Sequence, residues 1–143
     1  MDAATLKALV VGLLAWLNVH TGYEIPAQRP VVAFVPQQEL VRMACTGPCP
    51  VLAWSPTDSP HVIYLAHGLD PENNTCERAI LVHELVHHLQ EHAGAFAEYA
   101  PAARNHMREM EALWIQKVYL HEHGRKLHYS GTLAIQGLTG PYC

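Results

Sequence analysis

Apolar residues in the first twenty positions recur at Leu6, Leu9, Val10, Leu13 and Leu17, the i, i+3, i+4, i+7, i+11 stripe of an amphipathic helix packed on a core. The stretch from Ala8 to Leu17 behind Lys7 also has the profile of a short secretory h-region. Asp2 and the lack of a small-x-small cleavage site before Tyr23 favour a helix of the domain. The period then shortens. Val31 to Val35 is a β-branched run between Pro30 and Pro36, Val51 to Trp54 a second apolar piece, and His61 to Leu65 a third. Short connections predict antiparallel neighbours, hence a small, mainly antiparallel three-stranded sheet. A polar loop from Gly68 to Thr75 offers Thr75 as the N-cap of a helix running to about Glu91 or His92 and stopping near Gly94. A second long helix is predicted from about Pro101, suited to a first turn, to Gly124. The last twenty residues, with Gly131, Gly137, Gly140 and Pro141, read as irregular. No internal repeat or linker interrupts residues 1–143, which are expected to form one domain.

Composition narrows the function classes. Of 143 residues 50% are hydrophobic and 15% charged, with a net charge of −4, so a disordered chain is excluded. No continuous apolar run reaches the roughly 18 residues of a membrane span. Nine Lys and Arg without a basic run argue against nucleic acid as a partner. Oligomeric state leaves no mark in the pattern. Cys45, Cys49, Cys76 and Cys143 permit three pairings. A local Cys45–Cys49 bridge around Gly47-Pro48 fits an oxidising compartment, periplasmic or secreted, whereas free thiols fit the cytoplasm. The outlier is histidine, with eleven copies.

Two of these histidines have a spacing that carries chemistry. His83-Glu84-Leu85-Val86-His87 is an HExxH sequence inside the best predicted helix. Residues four apart lie on one face, so both imidazoles can reach one metal ion. Glu84 then points its carboxylate beside the ion's open position, where it can take a proton from water and return it to a leaving group. Uncharged flanks at Ile80, Leu81, Val82, His88 and Leu89 suit a metal helix better than a core helix whose histidines merely find hydrogen bonds. A catalytic Zn2+ takes three protein ligands and keeps one position for water. The next helix offers two carboxylates for the third. Glu109 lies with Ala112 and Gln116 on a small-residue face, while Glu111 lies with Met107, Trp114 and Val118 and can also turn inward. Spacing leaves the two open, and the one that does not ligate becomes a supporting or solvated carboxylate.

On these residues the chain resembles gluzincin-type metallopeptidases of minimal size, in which HExxH on one helix is completed by a Glu on the next, often with a small residue three positions on. Glu109-Met110-Glu111-Ala112 matches at Glu109. Leu81 to Gln90, with Ile63-Tyr64-Leu65 upstream and Gln116, Tyr119-Leu120 and Gly124 downstream, is similar to small bacterial HExxH domains, and the resemblance spans roughly Trp16 to Gly124. It implies an α+β, zincin-like fold, one Zn2+ on His83, His87 and Glu109, and Glu84 as general base and acid. The implied reaction is hydrolysis of a peptide bond in a peptide or protein substrate. The Asp that commonly follows the Glu-x-x-Ala pattern is Leu113 here, so support for the neighbouring His must come from elsewhere.

A hydrolytic site also needs a donor for the oxyanion, for which His106, Tyr119, His121, His123, His128 and Tyr129 are available. His88 and His92 fall off the metal face and are expected at the surface or behind the ligands. Trp16, Tyr23, Trp54 and Trp114 are expected in the core. The strand from His61 to Leu65 resembles the edge strand that zincins offer to extended peptides, though an ordinary core strand fits equally. The rival to an enzyme is a non-catalytic binding or regulatory module stabilised by zinc.

Overall fold

A computed structural model describes residues 1–59, 61–127 and 143. Among these the chain forms four helices and one sheet: α1 (Ala3–Thr21), β1 (Val31–Val35), α2 (Gln37–Ala44), β2 (Ala53–Trp54), β3 (Val62–Ala66), α3 (Thr75–Ala93) and α4 (Pro101–Glu122). The class is α+β, as expected. The C-terminal segment expected to be irregular lies outside the described residues, apart from its first residues and Cys143.

Helix ends follow local chemistry. Asp2 caps α1 by accepting from the Thr5 amide at 2.8 Å. Asn74, and not Thr75, caps α3 by accepting from the Glu77 amide; Thr75 is the first helical residue. Gly94 ends α3 in the left-handed region (φ 64°), a conformation that costs a residue with a Cβ. On α1 the face of Val10, Leu13, Leu14 and Leu17 is buried, with Leu6 and Leu9 packed beside it. That helix is also long and apolar enough, by length and composition alone, to cross a membrane, a profile it shares with signal sequences and core helices. The count of continuous apolar residues misses this, because isolated polar positions interrupt a segment that is apolar on average.

The sheet departs from expectation. Its order is β1-β3-β2, with β1 parallel to β3 from Val31↔Val62 to Val35↔Ala66, and only Ala53–Trp54 antiparallel to β3. It is therefore mixed rather than mainly antiparallel. The cause is α2, which follows β1 directly and carries the chain across, so β1 and β2 never form a hairpin and β3 inserts between them. Among the described residues β3 is the central strand and not an edge, paired with β1 along its length on one side and with Ala53 and Trp54 at Leu65 and Tyr64 on the other.

The larger core is built around α3, whose Ala79 to Val86 and Leu89 are buried among residues of α1, the sheet and α4. His20 on α1 pairs with Glu122 on α4 at 3.0 Å, and Arg78 on α3 donates to the Tyr119 hydroxyl on α4 at 2.7 Å. Cys45 pairs with Cys49 and Cys76 with Cys143, leaving no free cysteine. Two bridges are compatible with an extracellular location.

Candidate metal centre

Helix α3 is buried almost all round between Ala79 and Gln90, and this explains how it holds two histidines in register: its backbone cannot move without disturbing the core. His83 and His87 project one turn apart toward α4. There Ala112, fully buried, lets the two helices approach, and Glu109 and Gln116 on the same face of α4 reach across.

The three candidate ligands converge. The Nε2 atoms of His83 and His87 are 3.2 Å apart, Glu109 Oε2 is 3.2 Å from His83 Nε2, and Glu109 Oε1 is 2.7 Å from His87 Nε2. Nitrogen and oxygen ligands on a tetrahedral ion at about 2.0–2.1 Å stand about 3.3 Å apart. The His83–His87 and His83–Glu109 Oε2 separations lie within a tenth or two of an ångström of that spacing, and His87 is held by the other carboxylate oxygen, Oε1. His83, His87 and Glu109 therefore form a group that could hold a metal ion. Among the described residues no other such group is found.

Each imidazole is turned by an amide behind it. His83 Nδ1 donates to Gln116 Oε1 at 3.0 Å and His87 Nδ1 to Gln90 Oε1 at 2.8 Å, so both Nε2 atoms face the cluster. These two glutamines supply the support for which Leu113 offers no carboxylate. Gln90 and Gln116 are buried to within 2% of full exclusion, as are His83, Glu84 and His88 among the polar residues of α3. A buried polar residue three positions from a ligand histidine is a signal that could have identified Gln90 in advance.

Without a metal the cluster is held by charge. Burial opposes the imidazolium form of His87, but the hydrogen bond and charge of Glu109, assisted by the charge of Glu84, outweigh it and raise its pKa to about 9. Burial likewise opposes the Glu109 carboxylate, and the hydrogen bonds and charge of the two histidines hold its pKa well below the usual carboxylate range. Glu84 is buried, 2% exposed, and close enough to act electrostatically on His87 while standing outside the ligand group. Solvent reaches the cluster from the side of His87 and Glu109, 16% and 19% exposed, since His83 is 1% exposed.

Other candidates lie elsewhere. Glu111 accepts from the Tyr23 hydroxyl at 2.6 Å and from Gln90 Nε2 at 3.0 Å, so it supports the site rather than joining the ligands. His88 is fully buried, contrary to a surface position, because α3 is enclosed on the side away from α4 as well; His92 is exposed, as expected. Trp114 is 62% exposed and not a core residue, since α4 buries only the face carrying Ala112, Ile115, Gln116 and Tyr119. Of the expected oxyanion donors, Tyr119 is engaged by Arg78 and by ring contacts with Trp16 and His123, and His106 and His121 are exposed. His128 and Tyr129 lie outside the described residues.

Fold and site together define an α+β domain with a His-His-Glu donor set shared between two packed helices. The chain belongs to a family described as a domain of unknown function (DUF6647), whose model matches residues 2–135. No curated protein and no solved structure matches it.

Proposed function

We propose that this chain is a minimal zincin-like domain that binds one Zn2+ through His83, His87 and Glu109 and hydrolyses peptide bonds. The observation that supports the reading is the convergence of the three ligand atoms from HExxH and the next helix. When bound, zinc supplies a Lewis acid for the substrate carbonyl and lowers the pKa of water. The chain's own residues do the rest. His83 and His87 present Nε2, each fixed by a glutamine amide at Nδ1. Glu84 accepts a proton from the attacking water at its carboxylate and returns it to the leaving amine nitrogen, and its place beside the ligands without being one suits that task. A substrate approaches over His87 and Glu109, the exposed side of the cluster. The two disulfides favour an oxidising compartment, periplasmic or secreted, as the place of action.

The test compares wild type with Glu84→Gln on a peptide library followed by mass spectrometry, with zinc content measured on both. The expected result is equal zinc in both and turnover lower by roughly 10²–10⁴-fold in the variant. Equal turnover in the two would reject Glu84 as the base, and zinc without turnover in wild type would leave a binding module in place of a hydrolase.

A further inference from the structure

We infer that Glu111 is a positioning residue of the metal centre, acting through Gln90 to fix which nitrogen of His87 is left free for the ion. The inference rests on the metal reading above. It follows from counting donors and acceptors along a buried chain. Tyr23, in the segment after α1, donates its hydroxyl to Glu111 Oε1 at 2.6 Å. The same oxygen receives Gln90 Nε2 at 3.0 Å, and the Arg108 backbone carbonyl receives it at 2.9 Å. A carbonyl and a carboxylate can only accept. The amide nitrogen of Gln90 must therefore face them, and its oxygen is left for His87 Nδ1 at 2.8 Å. An amide oxygen also only accepts, so Nδ1 keeps its hydrogen, and Nε2, beside Glu109 and His83, is the nitrogen that can release its proton to take an ion.

The amide cannot turn round cheaply. Gln90 is fully buried, so water cannot replace a mismatched partner. A flipped amide would set its oxygen against two acceptors and its nitrogen against His87 Nδ1, which would then have to give up its hydrogen. Glu111 is the variable part of this arrangement, because the Arg108 carbonyl is backbone. Tyr23 ties the arrangement to a third segment of the fold, outside the two ligand helices.

The experiment measures zinc affinity of the full chain by competition with a fluorescent chelator for wild type, Glu111→Gln, Gln90→Glu and the double variant, with circular dichroism confirming that each is folded. Glu111→Gln replaces one of the two obligate acceptors by a group that can also donate and leaves the Arg108 carbonyl alone to hold the sense of Gln90, so the amide is less firmly fixed; affinity should fall roughly tenfold. Gln90→Glu alone sets two carboxylates together and should fall similarly. The double variant removes the clash of carboxylates, with the new carboxylate accepting from His87 and from the new amide, while the Arg108 carbonyl stays without its donor; it should bind zinc more tightly than Gln90→Glu alone and less tightly than wild type. In parallel, long-range proton–nitrogen NMR of the zinc-loaded chain should show a protected His87 Nδ1 hydrogen in wild type and in the double variant, exchanging faster in Glu111→Gln. A wild type that binds no zinc overturns the metal reading and this inference with it. A wild type that binds while Glu111→Gln binds equally well overturns the inference alone, as does a double variant no better than Gln90→Glu.

Discussion

Raising the pH of the metal-free protein from 6.5 to 9 should destabilise it, through one proton. In the folded chain Glu109, 2.7 Å from His87, outweighs the opposing effect of burial and holds the imidazolium to about 9, against an ordinary value of 6.5. Between those limits the folded state keeps a proton that the unfolded chain has released. The pair's contribution is fully present below 6.5, declines by about 1.4 kcal/mol per pH unit and is lost by about 9, a total of about 3 kcal/mol. Glu109 stays ionised throughout the window and adds no slope of its own. For 143 residues the loss corresponds to a Tm lower by about 10 °C.

Zinc should remove this slope. A ligated His87 has no proton to lose at Nε2, so the stabilisation given by saturating zinc should grow by about 1.4 kcal/mol per pH unit over the same window. Thermal unfolding followed by circular dichroism, with chelator or with saturating zinc, reads both behaviours, and Glu109→Gln should flatten the chelator series by removing the charge that retains the proton. A metal-free Tm that stays constant or rises from pH 6.5 to 9 would refute the account of the cluster as a proton-filled metal site.

Glu109→Ala should leave the protein without zinc after desalting, whereas Glu111→Ala should retain it at stoichiometric concentrations, as metal analysis would show; the reverse would exchange the roles of the two carboxylates. The disulfides should differ in worth because they close loops of different length: removing Cys76–Cys143, 67 residues apart, should cost about 4 kcal/mol in urea unfolding, and removing Cys45–Cys49, four apart, about 2 kcal/mol. Gly94→Ala should cost about 1 kcal/mol purely through backbone conformation, since nothing lies within 4 Å of the added Cβ.

Of the four helices, α1, α3 and α4 were legible because each carries its own stripe or punctuation, whereas α2 was not expected. Gly94 and Pro101 bound α3 and α4, and the Leu stripe of α1 faces the core as its spacing predicts. Strand positions were also legible, within one residue for β3. Their polarity was not, because it depends on α2, which is amphipathic but only eight residues long, too short for its period to stand out from the segments around it. Burial failed where a helix was taken as one-sided: α3 is enclosed all round, which puts His88 in the interior, and α4 is not, which leaves Trp114 outside.

The site divides along the same line between local and long-range information. His83 and His87 are related by one helical turn, and that is a property of sequence alone. Glu109 against Glu111 is a rotation of about 200° on α4, but which side meets α3 depends on packing, and there the small Ala112 was the informative residue. Gln90 stands between these cases. Its spacing from His87 is local, yet its meaning comes from the acceptors beyond it, the Arg108 carbonyl and Glu111, which only the packing of α4 supplies. The two histidines can therefore be read from a motif, while the carboxylate that joins them and the groups that turn their rings must be read from packing and from the directions of hydrogen bonds. Glutamine in place of an Asp also leaves a neutral group behind each histidine, with the Glu111 carboxylate one residue further back, beyond Gln90. A chain that followed the HExxH pattern without an acceptor at position 111 would keep the letters and leave the Arg108 carbonyl alone to hold Gln90, and through it His87.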